Sequence, residues 1–213
     1  MKAEPSCPRC GSRVRAPGLV SKSWQCDLHG AVHPLQPVLQ PSAKELAAAA
    51  SRSQVPMWLP WPLPSGWAFT GVAHAGDDEV GGARATAVAC SGPNPFGGSG
   101  ELLLVAEEMG IGLGARFAGI EGPDPGEIFE STAAHAKVYA AGRSTSMWLV
   151  PETGDHTVFL GEAGGLWLWA ILWPHDAAHL MYEDLVLTDM RDAGSEIDRL
   201  AVGGLSVRLI GGL

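Results

Sequence analysis

Leu166-Trp167-Leu168-Trp169-Ala170-Ile171-Leu172-Trp173 is apolar at every position. Strand alternation sends Trp167, Trp169, Ile171 and Trp173 to one face and Leu166, Leu168, Ala170 and Leu172 to the other. A strand apolar on both faces belongs at the centre of a sheet that is covered twice. The run ends at Pro174 and, at eight residues, falls far short of the roughly 20 that a membrane-crossing helix needs. It therefore predicts a buried sheet, and no membrane span is expected.

Short apolar runs separated by turn residues extend that sheet. Strand-like segments are Trp67–Ala73, Arg84–Cys90, Glu101–Glu107, Lys137–Ala141, Ser146–Val150 and Thr157–Leu160, with Asp184–Thr188 and Ser206–Ile210 as weaker candidates. Gly-rich turns at 77–82 and 92–100 separate them at hairpin-like distances. Room remains for two helices, near Pro125–His135 and Asp192–Leu200. The 213 residues are 46% hydrophobic and 17% charged, which excludes a disordered chain. The expected class is α+β: an N-terminal zinc ribbon followed by a mainly antiparallel β-sheet domain with one or two helices. No internal repeat is visible.

The zinc ribbon rests on Cys7-Pro-Arg-Cys10 and, after fifteen residues, Cys26-Asp-Leu-His29. Two pairs of soft donors, each separated by two residues, have the spacing of a structural zinc site. Each turn sets two donors about a tetrahedral edge apart, and a hairpin between the turns joins the pairs. His29 completes the set in sequence order, and His33, four residues on, is the alternative fourth ligand. A redox CxxC would need a βαβ context and would leave the second pair unexplained. Val14, Leu19 and Trp24 offer too little apolar surface for some 35 residues to fold unaided, so metal binding is expected to supply most of the folding free energy. A closed four-ligand site has no position for an activated water and is a structural staple.

Three modules are expected: the zinc ribbon at 1–36, a helix and Pro/Trp-rich linker at 37–66, and an α+β domain at 67–213. Ser42-Ala-Lys-Glu45 resembles a capping box opening an alanine-rich helix to about Ser53. With Leu46 its only large apolar side chain, this helix reads as a spacer or a lightly docked arm. Residues 55–67 hold four prolines and three tryptophans. They read as an extended strap lying on the larger domain, with an exposed aromatic binding strip as the alternative.

Charge divides unevenly. Residues 1–30 carry Lys2, Arg9, Arg13, Arg15 and Lys22 against Glu4 and Asp27, a local +3, so the formal −9 of the chain leaves −12 on residues 31–213. An acidic chain with a small basic module is poorly suited to wrapping nucleic acid along its length. Arg9, Arg13, Arg15 and Lys22 are the candidate partner-binding residues. They would face an acidic protein surface, or nucleic acid through this module only. No secretory signal opens the chain, and a cytoplasmic, thiol-reducing location is expected.

Catalytic patterns are weak. Gly110-Ile-Gly112-Leu-Gly114-Ala115 fits a loose dinucleotide fingerprint, yet Gly119, Gly122, Pro123 and Pro125 interrupt the helix that would hold a pyrophosphate. His175-Asp-Ala-Ala-His179 resembles a metalloprotease helix with Asp in place of the Glu base. It reads as a polar loop. Cys90 reads as a core thiol. Asp77-Asp78-Glu79, Glu107-Glu108, Glu183-Asp184 and Asp189–Asp192 read as a solvated acidic surface. No catalytic and no cofactor-binding residue is assigned apart from the zinc ligands.

Five stretches together resemble a family of uncharacterised zinc-ribbon proteins of actinomycete bacteria. They are Cys7-Pro-Arg-Cys10-Gly11, Ser23-Trp-Gln-Cys26-Asp, His33-Pro-Leu-Gln-Pro37, Trp61-Pro-Leu-Pro64 and Gly165-Leu-Trp-Leu-Trp-Ala170. The resemblance implies a cytosolic zinc-ribbon protein with a domain of unknown function and no established catalytic residues. Some members carry a phosphotransacetylase label, but no phosphate cradle appears in this sequence. The expected function is a zinc-binding adaptor that mediates macromolecular interaction, with protein the favoured partner. The alternative is an enzyme or small-molecule binder with its pocket in the C-terminal domain.

Overall fold

A computed structural model describes residues 4–19, 21–77, 80–125, 133–151 and 153–211. In chain order, a minimal hairpin, β1 (Gln25–Cys26) and β2 (Gly30–Ala31), precedes helix α1 (Ala43–Arg52) and strand β3 (Trp58–Pro60). Then come β4 (Ala68–Asp77), β5 (Gly82–Pro93), β6 (Ser99–Glu107) and a short helix α2 (Leu113–Ala118). A second run of strands follows: β7 (Ala136–Ala140), β8 (Arg143–Val150), β9 (Thr157–Ala163) and β10 (Leu166–Trp173). The chain closes with a 3₁₀ helix His175–Tyr182, strand β11 (Leu187–Asp189), a 3₁₀ helix Gly194–Arg199 and α3 (Val207–Gly211).

Seven strands form one antiparallel sheet in the order β4-β5-β6-β10-β9-β8-β7. Two meanders meet at the β6–β10 pair, which puts the all-apolar strand in the middle. Trp169 sits opposite Val105 and Leu160 there. The two faces of β10 feed two separate cores. Leu168, Ala170 and Leu172 join one, and Trp169, Ile171 and Trp173 join the other. The class is α+β, and no helix among the described residues is long and apolar enough to cross a membrane.

The first face is roofed by the segment expected to be a spacer and a strap. Ser42 caps α1, its Oγ accepting from the Glu45 N–H at 3.1 Å. The helix is no loosely docked arm: Leu46 is fully buried, and Ala49 and Ala50 lie against the same core. Alanines let a helix backbone approach a sheet closely, so one leucine is enough to anchor it. Residues 57–60 lie along β11 as an antiparallel strand, with Met57 and Leu59 completely buried.

The second face is covered by α2, by α3 through Leu209, and by Leu35 and Val38 from the amino-terminal region. Ser206–Ile210, expected as a weak strand, is where α3 forms. Leu209 is its buried contact, while Val207 and Ile210 face solvent. One apolar anchor per turn is a helical pattern, and five residues are too few to separate it from alternation. The helix expected near Pro125–His135 lies largely outside the described residues. The one near Asp192–Leu200 is the 3₁₀ helix Gly194–Arg199.

Both sheet edges are covered, which guards against edge-to-edge pairing. On β4, Phe69 N–H donates to the Ala201 carbonyl at 2.8 Å, and Gly76 N–H donates to Pro34 O at 2.9 Å. On β7, Tyr139 N–H donates to Leu185 O at 2.9 Å. The amino-terminal region is thus hydrogen-bonded into the main sheet at the β4 edge.

Candidate metal centre

Two turns converge on one point. In the first, the Gly11 N–H donates to Cys7 O at 2.8 Å and the Cys7 N–H to Ser12 O at 2.8 Å. Gly11 adopts φ +72°, which closes the turn after the second ligand. In the second, Cys26 pairs with Gly30 across the β1–β2 hairpin, and Asp27, Leu28 and His29 form its tip. Hydrogen bonds between Arg15 and Gln25, 2.8 and 3.0 Å, tie the hairpin to the first turn's strand.

The result is a cluster of Cys7, Cys10, Cys26 and His29 whose ligand atoms all lie within 4.8 Å of one another. His29 Nδ1 is 3.5 Å from Cys7 Sγ and 3.7 Å from Cys26 Sγ, and Cys10 Sγ is 3.8 Å from Cys26 Sγ. With zinc–sulfur bonds near 2.3 Å and zinc–nitrogen bonds near 2.05 Å, a tetrahedron has edges of about 3.8 Å (S···S) and about 3.5 Å (S···N). Three of the six donor–donor separations match these edges and all lie within 4.8 Å, so the four groups could hold a single ion, with Nδ1 the histidine atom facing the thiols. His33, the alternative ligand, is not in this cluster. No other such group of His, Cys, Asp and Glu occurs among the described residues.

The thiols differ in environment. Burial raises the pKa of Cys7 to about 11. Cys10 is exposed; what burial it has pushes its thiol up, but hydrogen bonds from Ser12 and from the neighbouring thiols together outweigh this and bring it down to about 6. A thiolate available at neutral pH is the form a metal binds first. The apolar surround is small, as expected: Val14, Trp24 and Val32 pack against Cys7 and Cys26, and Leu19 is fully exposed.

The cluster sits against the sheet through contacts that spacing alone did not indicate. Trp24 Nε1 donates to Asp77 Oδ2 of β4 at 2.9 Å. Arg9 reaches the loop before α2, where its guanidinium donates to Gly110 O and, at 3.2 Å, to Ile111 O. From the other side Arg116 of α2 donates to Cys7 O at 3.4 Å. Of the remaining basic residues, Arg13 pairs with Glu4, Arg15 pairs with Asp27 at 2.7 Å, and Lys22 lines a groove. That groove, about 710 Å³, lies between the β1–β2 region and the end of β4 and is walled by Trp24, Val32, His33, Pro34 and Asp77.

The Gly-rich stretch has a different use from phosphate binding. Glu107, read from sequence as surface, is fully buried, and its carboxylate accepts from the Leu113 N–H at 2.7 Å and the Gly114 N–H at 3.0 Å. The amides at the start of α2 are already taken by this internal carboxyl group. Burial outweighs these bonds and raises the Glu107 pKa to about 7. Gly114 is required by packing, since a Cβ there would lie 2.2 Å from Trp169 Nε1. Glu108 is also committed, to Arg84 at 2.6 Å.

The remaining candidates are dispersed. His175 and His179 lie in a 3₁₀ helix where each makes its own local bonds, to Thr157 and Gly154 for the first and to the Asp176 carbonyl for the second. Cys90 is buried in β5, and desolvation with the Glu101 carboxylate nearby pushes its thiol far above the ordinary range. It is a core residue.

A family model described as a family of unknown function (DUF6758) matches residues 1–209. No curated protein and no solved structure matches the chain.

Proposed function

The chain belongs to the family of unknown function DUF6758, and on that footing we propose that it is a zinc-binding adaptor whose amino-terminal ribbon is held in shape by a structural ion. Cys7, Cys10, Cys26 and His29 would be the ligands. The observation that carries the reading is the convergence of these four donors within 4.8 Å of one another, with three of their six separations at the edge lengths of a zinc tetrahedron. Bound there, zinc supplies cross-linking of two turns and no open coordination position, so its contribution is to folding.

The ribbon's outer face would be the adaptor surface. Arg13 and Arg15 already face Glu4 and Asp27, so phosphates would have to displace carboxylates. The −12 carried by residues 31–213 adds repulsion. The first point holds for any acidic partner; the second, which grows with the length of a polyanion, favours a protein partner over nucleic acid. The test is capture of partners on the tagged full chain from its own cells, beside a Cys7→Ser control. Partners lost in the control are the expected result, and an identical set from both chains contradicts an adaptor role for the ribbon.

A second reading follows from the groove of about 710 Å³ beside Trp24 and His33, a size that suits a small molecule. Under it the chain is a small-molecule binder. Saturable binding of a metabolite that protects Trp24 fluorescence from quenching would favour this reading.

A further inference from the structure

We infer that Arg116 is the outer-sphere counter-charge of the metal centre, a positioning residue on α2 that makes metal loading and docking of the ribbon depend on one another. The inference rests on the reading of Cys7, Cys10, Cys26 and His29 as a zinc site. Three thiolates and one imidazole around a divalent ion leave that site with one negative charge.

Arg116 is half-buried, and among the described residues no carboxylate lies within ion-pair distance of its guanidinium. A cation withdrawn from water without a partner is costly. Burial pulls its pKa below the ordinary arginine value, and the neighbouring Cys7 and Cys10 thiols work against that fall. Its Nη1 donates to the Cys7 carbonyl at 3.4 Å. Its Nη2 lies over the Gly11 turn so closely that a Cβ on residue 11 would be 2.8 Å away. The guanidinium, 5.9 Å from the Phe117 ring centroid, is therefore also laid across the first ligand turn, where a zinc–thiolate anion would give it the full counter-charge that no carboxylate supplies. Arg9 crosses in the opposite direction to Gly110 and Ile111, so the two arginines clasp the ligand turn and α2. The cleft between them is open and also exposes Cys10, so this charge pairing is accessible to salt.

Outer-sphere partners of metal ligands typically affect metal affinity by about 10- to 100-fold. The experiment is a zinc competition titration against a chromogenic chelator on the full chain, for wild type, Arg116→Gln and Arg116→Lys, at low salt and near 1 M salt. Hydrogen exchange of Leu113–Ala118 is followed with and without zinc. All three chains are expected to bind one zinc. Arg116→Gln should lose about 10-fold or more in affinity at low salt, Arg116→Lys should recover most of it, and high salt should shrink the difference. Zinc should protect the α2 amides in wild type and not in Arg116→Gln. Wild-type affinity in Arg116→Gln overturns the inference, as does a lysine variant no better than the glutamine one. A wild-type chain that takes up no zinc strikes the metal reading itself, and the stoichiometry separates that failure from the other two.

Discussion

The indole of Trp24 donates to the Asp77 carboxylate at 2.9 Å, joining the strand that leads into the second pair of ligands to the end of β4. This bond makes the candidate metal centre part of the sheet's edge and not a module on a tether. Trp24→Phe keeps the ring and deletes the donor. The expected cost is about 1 kcal/mol of stability in denaturant unfolding, with zinc content unchanged. A variant as stable as wild type would mean that the dock does not depend on this bond.

Glu107 predicts a pH dependence of definite sign. Its pKa is raised from 4.5 to about 7 in the folded chain, so between those values the folded state holds a proton that the unfolded state has released. The stabilisation is complete below the unfolded pKa and is lost as pH rises through about 7, with a slope of at most about 1.4 kcal/mol per pH unit. Glu107→Gln cannot titrate, so wild type minus variant should decline in stability from pH 5 to 8. A flat difference in urea unfolding across that range would contradict the assignment.

Leu46→Ala distinguishes a docked helix from a spacer. Leu46 is fully buried in the same core as Phe69 and Leu104, and truncation there should cost about 2–5 kcal/mol. A spacer helix would lose only a few tenths. Thermal unfolding of the two chains decides between them.

Metal removal should act locally. A chelator, or Cys7→Ser, is expected to raise amide exchange across residues 4–36 and in the adjoining α2 while the β6–β10 pair keeps its protection. The sheet's two cores do not include the ligands. Global unfolding on chelation would instead make the ion part of the main core's stability.

What could be read from residues alone follows from the range of the signal. The central strand was legible because Leu166–Trp173 declares both faces in eight consecutive letters, and the clustering of Cys7, Cys10, Cys26 and His29 because paired spacing is itself a short-range pattern. Glu107 was not legible. A Glu-Glu pair looks solvated until the fold brings two backbone N–H groups of α2 to one of its members. Leu46 was undervalued because counting large apolar side chains misses how closely an alanine face can approach. Ser206–Ile210 was read with the wrong period because five residues do not distinguish the two. Arg116, more than 100 residues from Cys7, left no trace in local spacing at all.

The most direct test of the account is metal content. Elemental analysis of the full chain, purified with neither added metal nor chelator, should give one zinc per chain, and Cys26→Ser should lose it. No zinc in the wild-type chain, or equal zinc in both, would contradict the account at its root.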